Sequence, residues 1–373
     1  MKFNCSLTSF LGRLKLANEV VSSKNSVGLF NSILIRANKN HYITVQSTDT
    51  KISFNSVFAA EVLEEGEILV FCGRLMGILG TMKDGDICFH SDDEQGLLHI
   101  EPLTGQKLKL ELRLLSRDRF PHMPEIADSE YFEVGQETFL DMIHNTSFSV
   151  SHDETRYYLT GCYLERSEDA FTMVATDAKR LALFHTEEQD VPIFDGVIIP
   201  PKVLHFLSKV TGGEGNLKIA VTPKRIYFKV DEYDISSVLI DGKFPEYNKI
   251  LPKSSESCLV LNREEFYEAV HRISIMTEQD SKTCSLVVRG NNTLMISAKG
   301  NETGSAEEEI SYEGEPAKEI SLVLTSRHLL EPMKQMKASK IVLEYSSPKD
   351  PVKLQAEGEL RYFHIFMPLS QDE

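Results

Sequence analysis

Reactive side chains stand close together in only a few places along this 373-residue chain. His152-Asp153-Glu154 sets an imidazole beside two carboxylates, the composition of an acid/base group or of half a metal site. A hydrophilic loop ahead of a strand expected at 157–165 accounts for it more simply. Asp49 and Asp177 are a second candidate, as paired carboxylates. Each follows an apolar run and precedes a basic residue, in Ser47-Thr48-Asp49-Thr50-Lys51 and Ala175-Thr176-Asp177-Ala178-Lys179-Arg180-Leu181, a pattern that favours capping of a turn. The third is Arg156-Tyr157-Tyr158-Leu159, where a guanidinium and two rings can bind phosphate and stack. On a strand, alternation would send one of those tyrosines into the core. GxSxG, HExxH, the Walker lysine loop and the Rossmann glycine pattern are absent. The six cysteines, at 5, 72, 88, 162, 258 and 284, form no CxxC or Cys/His cluster, so neither a metal site nor a cofactor is expected.

The elements that would position these residues repeat. The two Thr-Asp turns lie 128 positions apart, and Phe120-Pro121 and Phe244-Pro245 lie 124 apart. Three globular units, 1–126, 127–253 and 254–373, account for the whole chain. Apolar residues at helical spacing predict helices at 7–18, 73–82, 136–149, 200–211, 262–276 and 326–336. Pro200-Pro201 before the fourth and Gly212-Gly213 after it have the expected polarity, and Asn262 with Glu265 suggests a cap for the fifth. Alternating runs between the helices read as strands, among them 31–37, 41–47, 51–59 and 106–114 in the first unit and 157–165, 170–175 and 180–186 in the second. Each unit is then strand, helix, three strands, strand, helix, three strands. Two helices against many antiparallel strands make an α+β domain with its helices on one face.

The net charge is −16, yet the six helices and their flanks sum to +6, from Arg13, Lys15, Lys24, Arg74, Lys83, Lys202, Lys209, Arg327, Lys334, Lys337 and Lys340 among others. The rest of the chain therefore holds −22. A positive helical surface on a negative body attracts a polyanion to one face only, although the preference of Lys and Arg for helices explains the split equally well. A domain of this size has an effective radius of about 18 Å. Six such domains in a planar ring leave a hole of about 36 Å, wide enough for a duplex, whereas three leave about 5 Å. Six domains are two copies of this chain. No apolar run of 18 residues and no leader-like N-terminus is found, so a cytoplasmic protein without a membrane partner is expected.

Met1-Lys2-Phe3, HDETRYYLTG at 152–161, ATDAKRLA at 175–182, DGKFPEYNKILP at 241–252 and Met367-Pro368-Leu369 together resemble the beta subunit of bacterial DNA polymerase III, the sliding-clamp family. The resemblance implies the DNA clamp fold, three repeated clamp domains per chain, and a homodimeric ring that slides on duplex DNA without sequence preference. It implies no catalysis and no cofactor. Partners would be the polymerase III alpha subunit, the delta subunit of the clamp loader, and other polymerases and mismatch-repair proteins that use short hydrophobic motifs. Carried over by position, Lys24, Arg74, Tyr157, Tyr158 and Lys202 would face DNA. A partner-peptide groove would be lined by Leu159, Thr176, Ala178, Lys179, Arg180, Leu181, Pro245, Ile250, Val352, Ile365, Met367, Pro368 and Leu369. Ala178-Lys179 stands where some relatives have Gly-His, and the acidic tail Ser370-Gln371-Asp372-Glu373 extends past the usual end. The readings of other classes are a hydrolase built on Asp49, Asp177 or His152 and a protein-interaction scaffold that does not encircle DNA.

Overall fold

The computed structural model describes residues 1–21, 31–105, 107–118, 120–188, 190–277, 282–289, 291–300, 304–314 and 319–369. Phe3 and Cys5 are buried and alternate with more open neighbours along β1 (Lys2–Ser6). The Ser6 side chain then accepts a bond from Ser9 N and starts α1 (Leu7–Val20), whose buried stripe is Leu7, Phe10, Leu14, Ala17 and Val20. Next come β2 (Ser32–Ala37), β3 (Tyr42–Thr48), β4 (Ile52–Ala59), β5 (Glu61–Glu64) and β6 (Gly66–Phe71). Helix α2 (Cys72–Leu79) and strands β7 (Asp86–Asp92), β8 (Leu97–Pro102) and β9 (Leu110–Arg113) complete the first repeat.

The order returns as β10 (Phe132–Gly135), α3 (Gln136–Thr146), β11 (Cys162–Arg166), β12 (Phe171–Thr176), β13 (Arg180–Thr186) and β14 (Phe194–Ile199). Then follow α4 (Pro201–Val210), β15 (Asn216–Val221), β16 (Arg225–Val230) and β17 (Tyr233–Val238). The third repeat has β18 (Ser257–Asn262), α5 (Arg263–Ile275), β19 (Thr283–Arg289), β20 (Thr293–Gly300), β21 (Gly304–Ser311) and β22 (Ile320–Thr325). It ends with α6 (Ser326–Gln335), β23 (Lys340–Tyr345), β24 (Val352–Ala356) and β25 (Tyr362–Phe366). Asn262 caps α5 as expected, its Oδ1 accepting from Glu265 N at 3.0 Å.

Three expectations are corrected. Residues 154–159 form a 3₁₀ turn and the strand begins only at Cys162, because Asp153 caps that turn by accepting from Thr155 N and Oγ1 at 3.0 and 2.6 Å. The strand expected at 106–114 narrows to β9. Strand β5 was not expected; it is a short edge strand paired with β1, where exposed Glu61 and Glu64 suit the open side.

The chain divides into two compact units, Met1–Glu137 with Lys202–Leu239, and Thr138–Pro201 with Ile240–Glu373. The first holds the sheets β5-β1-β7-β8-β9 and β10-β15-β16-β17-β4-β3-β2-β6. The second holds β14-β11-β12-β13-β25-β24-β23-β18 and β21-β20-β19-β22. Each eight-stranded sheet joins four strands of one repeat to four of the next, through β17·β4 in the first unit and β13·β25 in the second. The units thus follow shared sheets and cut through the stretch 127–253, so the division at 126 and 253 remains a proposal about repeats. On the inner side of the first sheet Phe3 stacks on Phe89 at 4.8 Å and Phe10 meets Phe89 edge-on at 5.0 Å, which fixes α1 over the strands.

Candidate partner groove and basic helix residues

The turn at 176–180 is made by its own side chains. Thr176 Oγ1 donates to Arg180 O (2.5 Å) and accepts from Ala178 N (3.1 Å). Asp177 Oδ1 accepts from Lys179 N (2.9 Å) and Arg180 N (3.0 Å). The β3–β4 hairpin repeats the pattern, with Thr48 Oγ1 bonded to Ile52 O (2.8 Å) and Thr50 N (3.0 Å), and Asp49 Oδ1 to Lys51 N (3.0 Å) and Ile52 N (2.7 Å). Ala178 and Thr50 both take positive φ, 73° and 77°. A β-branched Thr is strained there, so the side-chain bonds must hold it. Both aspartates are turn caps, as the spacing suggested.

The second oxygen of each aspartate separates the two copies. Asp49 Oδ2 takes the Lys202 amine at 2.6 Å, with that lysine half exposed. Asp177 Oδ2 takes Arg180 Nε at 3.1 Å, and Arg180 is buried. Its other nitrogens donate to Glu331 on α6 and to Phe148 O (2.7 Å). Arg327 Nε holds the other Glu331 oxygen at 2.7 Å, and His328 Nε2 lies 3.8 Å from Asp177 Oδ2. Glu331 and His328 were missed in the sequence. Their only signal is an i,i+3 pair on one helix face, which nothing nearby links to residue 180.

This network also fixes the state of two histidines. Burial, with Arg180 next in effect, lowers His364 to about 3, and the same two causes lower His328 to about 4 against the opposing pull of Asp177 and Glu331. Unfolded imidazoles titrate near 6.5, so below that pH the unfolded chain binds protons that the folded one refuses. Stability therefore falls as the pH drops from about 6.5 toward 4. The change His364→Phe keeps a ring against Phe148 and should lessen the loss between pH 7 and pH 5 by roughly 2 kcal/mol in urea unfolding. An equal loss in both proteins would remove His364 from this account.

Above the turn, on the face away from the helices, Leu159, Leu181 and Ile365 are buried in one cluster with Val174, Leu183, Ile198, Phe244 and Tyr247. Thr176 pairs across the strands with Leu181, and Leu181 with Ile365, so these side chains share the face. Ala178, Lys179, Pro245, Ile250 and Met367 are exposed round this floor, with Pro368 and Leu369 half-buried. Met367 N donates to Lys179 O at 2.9 Å and Leu369 N to Val323 O at 2.8 Å, which ties the last described residues along it. Two expected members do not face this surface. Val352 is fully buried on the opposite side of β24, where the pleat places Lys353 outward beside Phe363. Arg180 points to the helix side and supports the turn from beneath.

Family profiles for the N-terminal, central and C-terminal domains of the DNA polymerase III beta subunit match residues 1–124, 133–246 and 248–370. The beta sliding clamp of Treponema pallidum is 32% identical over 379 residues, which is 100% of both chains. The chain belongs to the DNA polymerase III beta-subunit family. The beta sliding clamp of Rickettsia felis is 29% identical and covers 95% of the chain and 96% of its own. A crystal structure of the beta subunit from Pseudomonas aeruginosa superposes with a TM-score of 0.92 at 25% identity, covering 99% of this chain and 100% of that one. The sliding clamp from Bartonella birtlesii bound to griselimycin gives 0.93 at 25% identity and covers 99% of each. Its function is that of the family, a sliding clamp serving as processivity factor in DNA replication.

Among the residues that clamp relatives would turn to DNA, Lys24 lies outside the described residues. Arg74 is exposed on α2 with its guanidinium 5.6 Å from the Phe71 ring. Lys202 is held by Asp49 and, at 3.4 Å, by Val20 O. Tyr157 is 52% exposed and Tyr158 packs against the groove cluster; both belong to the 3₁₀ turn, so strand alternation does not separate them. Gly242, at φ 133°, runs against them, and a Cβ there would lie 3.1 Å from Tyr158 Cβ. Arg13 drops out of the basic surface: it pairs with Glu232 at 2.6 Å and lies over Phe58 at 4.5 Å. Lys15, Arg74, Lys83, Lys334 and Lys337 are exposed and make no ion pair with another described residue. Among the described residues no group of His, Cys, Asp and Glu could hold a metal ion, and no helix is long and apolar enough to cross a membrane.

Proposed function

We propose that the chain works without catalysis in the cytoplasm as a homodimeric ring. In this reading the exposed helix cations, with Arg74, Tyr157, Tyr158 and Lys202, meet the backbone of an encircled duplex. Lys202 would do so by exchanging Asp49 for phosphate. Contacts of this kind are weak, diffuse and steeply salt-dependent, as sliding requires. The floor of Leu159, Leu181 and Ile365, rimmed by Pro245, Ile250 and Met367, would take short hydrophobic motifs of the polymerase III alpha subunit, the loader delta subunit, other polymerases and mismatch-repair proteins. Griselimycin, bound to the Bartonella birtlesii clamp, is expected to bind this surface too.

The observation that supports the ring is the way repeats are joined. Strand β4 pairs with β17 and β13 pairs with β25. Each time, the last strand of the first half of one repeat meets the last strand of the next repeat. The third repeat's counterpart of β4 and β13 is β21, and the first repeat's counterpart of β17 and β25 is β9; both are sheet edges. Two copies joined head to tail through β21 and β9 would leave neither edge open. The test is retention on DNA after loading. Circular DNA is expected to hold the protein and linear DNA to release it from the ends. Equal retention would favour the scaffold reading.

A further inference from the structure

The two composite sheets are the same backbone frame with different side chains. Val238 N donates to Lys51 O at 2.8 Å, and Met367 N to Lys179 O at 2.9 Å. Leu115 N donates to Leu69 O and Ile240 N to Ile198 O, each at 2.9 Å, so the segments leading to Phe120-Pro121 and Phe244-Pro245 leave from matching places. On the face away from the helices, the second unit presents the cross-strand pairs Leu181–Ile365 and Leu183–Phe363. The first unit presents Ser53–Ser236 and Asn55–Asp234 at the same steps. A cavity of about 270 Å³ lies over these residues, walled on one side by 123–126 and floored also by Gln46.

Its chemistry differs from that of the hydrophobic groove. Asn55 donates Nδ2 to Asp234 Oδ2 at 3.0 Å, which leaves its buried Oδ1 without a partner. Glu125 from the wall adds a second carboxylate. The one lysine of the lining, Lys229, is already bonded to Asp128 at 2.6 Å. Ser53, Ser236, Gln46, Tyr131 and Tyr227 line the cavity with neutral donors and acceptors, so what it has in excess is negative charge, two carboxylates against one cation that is already paired. An incoming ammonium or guanidinium would offset the carboxylates, whereas an aliphatic side chain would desolvate Asp234 and Glu125 without supplying a cation.

We infer that the first unit carries a second docking groove, which takes an extended peptide by inserting a lysine or arginine side chain between Asn55, Asp234 and Glu125. The inference rests on the groove reading only for the ligand's being a peptide. The test uses the full chain with its hydrophobic groove blocked by Ile250→Arg and Met367→Arg, panned against a capped heptapeptide library randomised at three central positions. The selected peptides are expected to carry Lys or Arg, and to lose at least tenfold in affinity on Asp234→Ala and on Ser53→Leu. Ser53→Leu places at its position the residue that Leu181 contributes to the same frame, and only variants that melt as the parent does are scored, Asp234→Ala supplying the independent arm. Recovery of no peptide, of peptides without a basic side chain, or of peptides indifferent to both changes would overturn the inference. Binding of a hydrophobic ligand to the unblocked chain reports separately on the other groove.

Discussion

Replacing Arg180 by Ala is expected to cost about 3–5 kcal/mol of stability in the second unit and to weaken griselimycin binding by at least tenfold. Arg180 is only 5% exposed, and its removal leaves the carboxylates of Asp177 and Glu331 without their shared cation. Breaking one partner of a buried charged network is penalised far more than the intact network ever stabilised, because the remaining charges cannot regain water. Asp177 Oδ1 would still cap the turn, but Oδ2 would repel Glu331, and the turn carrying Ala178 and Lys179 would shift against the floor. The counterpart in the first unit sets the scale. Lys202→Ala breaks an ion pair whose lysine is half exposed, and about 0–1 kcal/mol is expected there. Glu331→Gln separates charge from shape, since it keeps the hydrogen bond acceptor for Arg180 and should fall between the two. Thermal unfolding and calorimetry on the three variants are the measurement. Arg180→Ala with unchanged melting and unchanged affinity would show that the network does not position the groove.

What could be read beforehand was local. The Thr-Asp turns repeat because Thr176 and Asp177, like Thr48 and Asp49, meet their hydrogen bonding within four residues, and such chemistry leaves a short pattern. Strand–helix order was legible for the same reason, since Phe10, Leu14 and Ala17 declare a face without knowing what covers it. Glu331 was illegible because it lies 151 positions from Arg180 and acts only once α6 is seated. Tyr157 and Tyr158 open a run, 157–165, that reads as a strand; the cap from Asp153 overrides that preference. Val352 shows the limit of carrying a site over by position. A strand's pleat decides which neighbour reaches a surface, and here it brings Lys353 there.

The contrast between the two composite sheets also explains why one chain would offer a single hydrophobic groove. Their backbones agree at the Thr-Asp turns and at the strand junctions under the groove, so the difference there lies in the residues that stand on them. Leu181, Leu183, Ile365 and Phe363 make a floor from which water is readily displaced. Ser53, Asn55, Ser236 and Asp234 are polar, and an apolar anchor placed there would gain little and strand their hydrogen bonds. Duplication supplied the frame, and divergence at a few outward positions set what each copy binds.

The same frame predicts how the ring closes. Along β21, Glu307 and Glu309 are exposed and alternate with Ala306, Glu308 and Ile310, of which Glu308 is held by Arg272 of α5 at 2.6 Å. Along β9 and the residue before it, Lys109, Glu111 and Arg113 are exposed and alternate with half-buried Leu110 and Leu112, so two cations flank one carboxylate. Both rows face away from the helices, so pairing the edges would set Glu307 and Glu309, the latter already paired with Arg289 at 2.6 Å, against a row whose two cations outnumber its one carboxylate, with exposed Ile275 at the end of α5 beside the seam. Glu307→Lys with Glu309→Lys would replace that attraction by repulsion at both seams of a dimer. Like charges facing across an interface cost several kcal/mol, so a rise of at least a hundredfold in the dimer dissociation constant is expected. In sedimentation the species of about 84 kDa, twice the 42.2 kDa chain, should give way to monomer. Adding Lys109→Glu and Arg113→Glu to the same chain restores opposite signs and should restore the dimer. A general loss of folding could not be rescued in this way, and charge reversal that leaves the dimer intact would place the seam on other strands.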